Sequence, residues 1–207
     1  MTDWTQSGEQ AFIDDWLARR NHAPGRFLDI GATDGTTASN TRKLAAIHNW
    51  GGVCVEPAAW AFDKLSRLYA GRDDIDVVQV AIADPPHMGG GVIEFHYSRG
   101  DLVSTTVDRY AETWSDLVAF ERQWIAAMPV SDLLLQFPGP YELISVDTEG
   151  TSLRVAKDLL DDGALAPGGL LCVECENGGE RWQAQQWCLD GYARVGTTPN
   201  NLLLEKL

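Results

Sequence analysis

Apolar segments of strand length that alternate with stretches of helical periodicity constrain the fold of this 207-residue chain most strongly. Three such segments, at 26–30, 52–56 and 76–82, are separated by stretches near 38–49 and 60–70 that carry apolar residues at helical spacing. Strands that are apolar along most of their length are typical of a parallel sheet that helices cover on both faces. The sequence therefore predicts an α/β fold.

The same alternation resumes in the second half of the chain. Strands are predicted at 142–147, 168–175, 192–196 and 201–207, with helices near 152–161 and 180–190. We expect one domain over residues 1–207, built as a Rossmann-like doubly wound sheet. This sheet is expected to be mostly parallel, with an antiparallel last strand and helices on both faces.

Residues 85–135 interrupt this pattern as an insertion between the third and fourth core strands. They predict an alternating strand at 92–98, a Trp-rich helix at 108–127 and a short helix that Ser131 opens. Long insertions between core elements often carry function. The insertion is therefore the best candidate for a lid or for an element that recognises the substrate.

The composition is that of a soluble protein with an acidic surface. The net charge is −14, from 30 acidic and 16 basic side chains, and such a surface repels the phosphates of nucleic acids. No stretch approaches the roughly 18 apolar residues of a membrane span, and the first ten residues contain no apolar signal core. We therefore expect a cytoplasmic protein that binds neither nucleic acid nor membrane, in an oligomeric state that the sequence leaves open.

Four cysteines are present, and Cys172 and Cys175 form a C-x-x-C pair. No second pair or nearby histidine completes a zinc-binding set, and residues three apart on a strand point to opposite faces. These two residues and Cys54 lie in apolar runs, where cysteine usually acts as a small core residue. We expect them to pack in the core rather than to bind a metal or act in redox chemistry.

The first strand ends in the pattern Asp29-x-Gly31-x-x-x-Gly35. Glycine at these positions lets a ligand approach the backbone and permits a tight turn, and ligands bind beyond the carboxyl ends of parallel strands. The dinucleotide fingerprint Gly-x-Gly-x-x-Gly is broken because Thr33 stands at its second glycine, and Asp34 would repel a pyrophosphate. The pattern therefore favours a cationic ligand without phosphates over a nicotinamide dinucleotide.

Two acidic residues at the ends of the next strands are candidates for binding a nucleoside. Glu56 lies 25 residues after Gly31, where a carboxylate accepts the hydroxyls of a ribose in dinucleotide-binding folds. Asp84 follows the third strand, within reach of an adenine amino group, although an aspartate before Pro-Pro is also typical of a turn. For Glu56 the alternative is a solvated acid at a strand end, but its register with the glycine turn favours the ribose.

Further carboxylates follow the fourth and fifth core strands, in LISVDTEG and VECENGG. Asp147 and Glu149 are suited to orient a substrate or to act as a general base. Asp147, Glu176 and Asn177 are also candidates to converge on a hard cation such as Mg²⁺. The structural alternative is that Glu149 or Glu174 caps a helix and pairs with Arg154 or Arg181.

Six segments together carry a resemblance to a known family: GEQAFI, FLDIGATDGTTASNT, NWGGVCVEP, VAIAD, LVSTT and LISVDTEG. In their order and spacing, from about residue 6 to residue 178, the chain resembles the FkbM-type methyltransferases, class I enzymes that use S-adenosylmethionine. The pattern D-x-G-A-x-D-G-x-x-x-S-N-T and the closing D-x-E-G are its specific parts. The chain departs from the family at Thr148, where an aliphatic residue is more usual, and over 85–135.

The resemblance implies which residues hold each part of the cofactor. The methionine moiety is expected at Asp29, Gly31, Ala32, Thr33 and Gly35, with Asn40 supporting this loop. The ribose is expected at Glu56 and Pro57, the adenine at Ala83 and Asp84, and the transferred methyl group near Asp147. A cationic sulfonium is favoured by these acids, whereas phosphates would be repelled.

The resemblance also implies the acceptor: a small molecule, a sugar or a glycan-like substrate, methylated on oxygen. Such a transfer needs a base for the hydroxyl proton, and the candidates are Asp147, Glu149, Glu176 and His96. Residues of the insertion that are candidates to contact the acceptor, or else to serve the core and surface, are Tyr97, Arg99, Arg109, Trp114 and Trp124. Two other functions stay open: a nucleotide-cofactor (NAD-type) oxidoreductase, and a non-catalytic module that binds S-adenosylmethionine.

Overall fold

The computed structural model describes residues 3–84, 91–100 and 103–207. The helices are α1 (Glu9–Arg19), α2 (Arg42–Ala46), α3 (Ala59–Leu68), α4 (Asp108–Trp114), α5 (Val130–Gln136), α6 (Ser152–Asp161) and α7 (Gly178–Gln185), which continues into a 3₁₀ helix (Gln186–Asp190). The strands are β1 (Arg26–Ile30), β2 (Gly51–Val55), β3 (Ile75–Val78), β4 (Ala81–Ile82), β5 (Val92–Tyr97), β6 (Glu121–Met128), β7 (Tyr141–Val146), β8 (Leu165–Glu174), β9 (Tyr192–Thr197) and β10 (Asn201–Lys206).

A seven-stranded sheet with the order β3-β2-β1-β7-β8-β10-β9 forms the centre of the fold. Its pairs are parallel except those of β10, which runs antiparallel to both β8 and β9. The predicted Rossmann-like sheet with an antiparallel last strand is therefore confirmed. The strand order reverses between β1 and β7, and the carboxyl ends of these neighbours form the crevice where ligands bind in such sheets.

Alternating side chains of the central strands feed two separate cores. Leu28 and Ile30 of β1 pack in a core with α5, α6 and α7, whereas Phe27 packs on the other face with α1, α2 and α3. This alternation explains why the strands are apolar on both faces. It also places Cys172 and Cys175 in opposite cores, as predicted, and both thiols are free and buried.

The insertion between β3 and β7 builds a second sheet with the order β4-β6-β5. The predicted third strand at 76–82 is therefore wrong in its second half, because β3 ends at Val78 and Ala81–Ile82 pairs with β6 instead. The first six residues of the predicted insertion, 85–90, lie outside the described residues. The predicted strand at 92–98 is confirmed as β5.

The predicted Trp-rich helix at 108–127 is wrong beyond Trp114. Residues Glu121–Met128 form β6, and its first six residues pair antiparallel with β5. The physical reason is that outward and inward side chains alternate along this stretch, as in a strand. Trp124 is 71% exposed, whereas its neighbour Ile125 packs in a cluster with Phe95 and with two buried alanines at the start of α3. The alanines and glutamine of this stretch resemble a helix in composition, but the pairing with β5 decides its structure.

Two differences near the amino terminus also matter for the site. The predicted helix at 38–49 is reduced to α2, because residues 31–41 form a loop in which Asp34 accepts hydrogen bonds from the backbone N–H groups of Thr36 and Thr37. Helix α1 was not predicted, although its Ile13, Trp16 and Leu17 side chains are fully buried. Within the described residues, no helix has the length and apolar character needed to cross a membrane.

Candidate functional site

A pocket opens at the carboxyl ends of β1, β2 and β7, at the point where the strand order reverses. It encloses about 1020 Å³ of space between protein atoms, which includes some open solvent. The predicted site residues that line it are Asp29, Gly31, Ala32, Thr33, Asn40, Glu56, Pro57, Asp147 and Glu149. The structure thus brings together residues from four separate parts of the sequence.

Gly31 marks the closest approach of two strand ends in this pocket. Its φ is +84°, and a Cβ built on it would lie 1.7 Å from the backbone carbonyl oxygen of Asp147. The N–H of Gly31 donates to the Val55 carbonyl of β2 at 2.9 Å, so the turn is fixed to both neighbouring strands. Only glycine fits this position without moving β7.

Asp29 and Asn40 form the buried wall on the α1–α3 side of the sheet. Asp29 Oδ2 accepts a hydrogen bond from Thr41 Oγ1 at 2.5 Å, and burial raises the pKa of this carboxyl to about 6. The Asn40 amide donates to Ser145 Oγ at 3.1 Å and to Cys172 Sγ at 3.3 Å. The loop after β1 is therefore held by side chains from β7 and β8.

Glu56 is held rigidly at the end of β2. Its Oε2 accepts from the backbone N–H of Thr33 at 2.9 Å, and its Oε1 accepts from that of Ala58 at 2.8 Å. Burial raises the pKa of this carboxyl to about 7, against the opposing effect of the two hydrogen bonds. Each oxygen keeps a second lone pair, so a pair of ligand hydroxyls is accommodated without breaking these bonds.

A second set of carboxylates surrounds the end of β7. Atoms of Asp147, Glu149 and Glu174 lie within 4.8 Å of one another. Burial is the main cause that raises their pKa values to about 7, 8 and 9 respectively, and mutual repulsion adds to it. Hydroxyl groups of Ser152 and Tyr110 donate to Glu174 and Glu149. We call this set the acid cluster.

Glu176 lies outside the acid cluster, although sequence analysis had placed it among the catalytic candidates. Its side chain is exposed, while Glu174, two residues earlier on β8, lies in the cluster instead. The Asn177 side chain caps α7 by accepting from the N–H groups of Gly179 and Glu180. No finding supports the predicted magnesium ion, because only Asp147 of its three predicted ligands belongs to the cluster.

The arginines that sequence analysis considered as partners for this cluster are engaged elsewhere. Arg154 pairs with Asp84 and Asp158, each at 3.2 Å. Arg181 donates to the backbone carbonyls of Thr198 and Pro199. The structural alternative for Glu149 and Glu174 therefore holds only in part, since hydroxyl groups rather than arginines contact them.

Three residues predicted to hold the cofactor lie outside the lining of the pocket. Asp84 is exposed and pairs with Arg154, whereas Ala83 donates its N–H to the Met128 carbonyl at 3.0 Å. Gly35 has a φ of +73° and packs against leucines of α3. The pocket is lined near this end by Ala81 and Ile82, two residues before the predicted pair.

Several lining residues were missed by sequence analysis. The aromatic side chains in the lining are those of Trp60 and Phe95, not Tyr97, Trp114 or Trp124. Other missed lining residues are Gln6, Ser104, Thr105, Thr106 and Thr151. The LVSTT segment is a signal that pointed to 104–106, whereas nothing in the sequence distinguished Trp60 from core aromatic residues.

The candidate base His96 and the candidate cation Arg99 have structural partners. His96 Nε2 lies 2.7 Å from Asp108 Oδ1, and its ring is buried beside Phe120 rather than in the pocket lining. Arg99 pairs with Glu121 on the neighbouring strand. Neither residue is among those that line the pocket.

Over the part of the chain that the structure describes, three buried polar atoms of lining residues have no hydrogen-bond partner: Asn40 Oδ1, Trp60 Nε1 and Asp147 Oδ1. A buried polar group without a partner is costly, and such groups are rare in native proteins. Their common location in one pocket is explained by a polar ligand that supplies both donors and acceptors. Together with the glycine at position 31, they fit a ligand that lies across the ends of β1, β2 and β7.

No family model and no curated protein matches this sequence. Among solved structures, the fold is similar to that of an rRNA methylase from Streptococcus thermophilus, with a TM-score of 0.52, 13% identity, and coverage of 100% of this chain and 99% of that one. It is also similar to the methyltransferase domain of human METTL16, with a TM-score of 0.53, 12% identity, and coverage of 96% of this chain and 65% of that one. At these identities the likeness shows a shared Rossmann-like fold.

The expectation that nucleic acid is excluded as a partner is corrected by this comparison. A protein named as an rRNA methylase shares the fold over the full length of this chain. The exclusion was drawn from the net charge of −14. Net charge sums the whole surface, whereas recognition depends on the charges at the contact, so the sum does not decide the partner.

Proposed function

We propose that this protein is an S-adenosylmethionine-dependent methyltransferase. The observation that carries the proposal is the charge of the pocket, whose lining holds four carboxylates (Asp29, Glu56, Asp147 and Glu149) and, among the described residues, no lysine, arginine or histidine. A buried acidic pocket at a topological switch point favours a nucleoside ligand that is cationic and lacks phosphates. A nicotinamide dinucleotide, with its pyrophosphate, fits this lining poorly.

The residues present fit such a cofactor. Glu56, fixed by two backbone N–H groups, would accept both ribose hydroxyls, and Pro57 lies beside it in the lining. Asp29, Gly31 and Asn40 would hold the methionine moiety, with Asn40 Oδ1 as a free acceptor for its ammonium group. The sequence motifs that these residues belong to support assignment to the FkbM family as the finer proposal.

Held by these residues, the cofactor would supply a methyl group bonded to a sulfonium, with the thioether sulfur as the leaving group. The protein must then exclude water and remove a proton from an acceptor hydroxyl. Asp147 and Glu149 line the pocket at the end of β7, and their raised pKa values of about 7 and 8 suit proton uptake near neutral pH. We propose that one of them receives this proton as the acceptor oxygen bonds to the methyl carbon.

Titration calorimetry with S-adenosylhomocysteine tests the proposal. The variant Glu56→Gln keeps the shape of the side chain but removes its charge, and it should weaken binding by about tenfold or more, roughly 1.4 kcal/mol. Glu142→Gln is the matched control, because Glu142 also accepts a backbone N–H, that of Arg26, but at the opposite end of β7. Failure of the unaltered protein to bind at millimolar ligand, or tighter binding of NADH, would refute the proposal.

The acceptor is found by transfer of a labelled methyl group to panels of candidates. Hydroxylated small molecules and sugars follow from the family resemblance, and rRNA is included because a structure of this fold bears that name. Glu56→Gln serves as the negative control in each panel. Label in a sugar or a small molecule but not in RNA would support the proposed oxygen acceptor, and the reverse would contradict it.

A further inference from the structure

The insertion contributes a segment that contacts the acid cluster directly. We call residues 103–114 the strap. Thr105 pairs with His96 of β5 through two backbone hydrogen bonds, and Asp108 Oδ1 of the strap lies 2.7 Å from Nε2 of the His96 ring. The strap is thus fixed to the second sheet, while its other contacts lie at the end of β7.

Two hydroxyl groups of the strap converge on Glu149. Thr105 Oγ1 donates to the Glu149 backbone carbonyl, and the Tyr110 hydroxyl donates to Glu149 Oε2. Glu149 adopts the left-handed conformation, with a φ of +49°, which is unfavourable for a residue with a side chain. The hydroxyl of Thr105 and that of Tyr110 therefore stabilise a backbone and a side-chain position that Glu149 would not adopt alone.

Packing against Gly150 fixes the strap at the same place. A Cβ built on Gly150 would lie 3.2 Å from Val107 Cγ2 and 3.5 Å from Tyr110 Cβ. The φ of Gly150 is +104°, so the chain turns sharply just after Glu149. The D-x-E-G segment and the strap therefore have complementary surfaces that pack closely.

Charge explains why Glu149 needs a donor. Among the described residues, the ionisable groups that act on it are Asp147 just after β7, Glu174 at the end of β8, Glu176 two residues further on, and Tyr110 on α4. The three acids repel its carboxylate, and the charge of Arg109 lowers the pKa of Glu176, which burial raises. Burial and the charge of Glu149 raise the pKa of the Tyr110 phenol, so this neutral donor persists over the whole physiological range.

We propose that Tyr110 is a positioning residue of the methyl-transfer site, which holds the Glu149 carboxylate in the pocket lining beyond the end of β7. Tyr110 does not line the pocket itself and acts through Glu149, which does. The proposal rests on the proposed function, because it assigns to Glu149 the reception of the acceptor proton. Tyr110 lies in the insertion, and sequence analysis assigned it no role.

Carboxyl NMR with ¹³C-labelled glutamate tests the proposal without knowledge of the acceptor. The Glu149 signal is the one that disappears in Glu149→Gln. In the unaltered protein, S-adenosylmethionine should shift this signal more than S-adenosylhomocysteine does, because only the former carries a positive charge near the carboxylate. In Tyr110→Phe this difference should be lost, while the affinity for S-adenosylhomocysteine stays within about twofold.

Tyr141→Phe is the matched control. The Tyr141 hydroxyl also makes one hydrogen bond, to the Phe137 carbonyl at 2.6 Å, but at the start of β7, far along the strand from Glu149. This variant should keep the difference between the two ligands. If Tyr110→Phe does not fold, Thr105→Val removes the other donor to Glu149, and it should reduce the difference.

The outcomes separate the two proposals. A protein that does not bind S-adenosylhomocysteine refutes the proposed function. A protein that binds it, but keeps the ligand-specific Glu149 shift in Tyr110→Phe, refutes the positioning role alone. Once an acceptor is identified, Tyr110→Phe should lower kcat about tenfold and leave the KM for S-adenosylmethionine unchanged. A change in KM alone would contradict the positioning role.

Discussion

Replacement of Gly31 by alanine tests the central feature of the site, the contact between the ends of β1 and β7. The new Cβ would lie 1.7 Å from the Asp147 carbonyl oxygen, whereas real Cβ atoms essentially never approach closer than 3.0 Å. The carbonyl or the turn must therefore move by at least 1.3 Å, the difference between these two distances. Because this carbonyl belongs to Asp147, and Glu149 lies two residues later, the shift moves the two carboxylates of the acid cluster that line the pocket.

The magnitude follows from two separate costs. A φ of +84° costs an alanine roughly 1–2 kcal/mol, and the clash with backbone at the centre of the sheet adds to it. We expect the free energy of unfolding to fall by about 4 kcal/mol or more in total, which is exceptional for one substitution. A displacement of this size near reacting groups also predicts a loss of roughly 100-fold in affinity for S-adenosylhomocysteine.

Gly71→Ala isolates the effect of the clash. Gly71 has a φ of +85°, almost the same as that of Gly31, but a Cβ built on it has no neighbouring atom within 4 Å. Urea denaturation should show a loss of roughly 1–2 kcal/mol for this control, with ligand affinity unchanged in calorimetry. Equal losses of stability in Gly31→Ala and Gly71→Ala, with binding intact in both, would refute the reasoning.

Two further predictions concern the buried polar groups. Burial raises the pKa of Glu56 to about 7, so the folded state binds more protons than the unfolded state between about pH 4 and 7. Thermal stability should therefore fall as the pH rises through this range. Glu56→Gln should reduce this dependence on pH, and an equal reduction in Glu142→Gln would contradict the assignment. Asn40→Asp removes an amide that donates to Ser145 and places a charge in a buried site, which should cost roughly 1–3 kcal/mol in urea denaturation. The control Asn177→Asp should be nearly neutral because aspartate caps a helix as well as asparagine does, and equal losses in both would refute the burial argument.

The central sheet was predictable from the sequence because its signal is local. Each core strand is a short apolar run, and each ends in a residue whose type differs sharply from the run, as in Asp29 and Asp147. The parallel order then follows from the helices between the strands. The glycine at position 31 was also predictable as a close-approach position, although its neighbour, the Asp147 carbonyl, was not.

The insertion was predicted less well because its structure depends on contacts distant in sequence. Strand β6 is specified by pairing with β5, and that pairing outweighs the helical composition around Trp124. The acid cluster shows the same limit on a smaller scale. Sequence analysis chose Glu176 over Glu174, but only the register of β8 beside β7 determines which side chain faces Asp147.

The carboxylates of the pocket fall into two groups, which receive hydrogen bonds from different parts of the chain. Glu56 and Asp29 receive hydrogen bonds from the loops after β1 and β2, which carry the motifs of the family resemblance. Glu149 receives its hydrogen bonds from two residues of the strap: Thr105, which belongs to the LVSTT motif, and Tyr110, which lies where the chain departs from that family. On the proposed function, the first group binds the methyl donor and the second faces the acceptor. Substitutions of Tyr110, which does not line the pocket, should therefore change the choice of acceptor while the affinity for S-adenosylhomocysteine stays within about twofold.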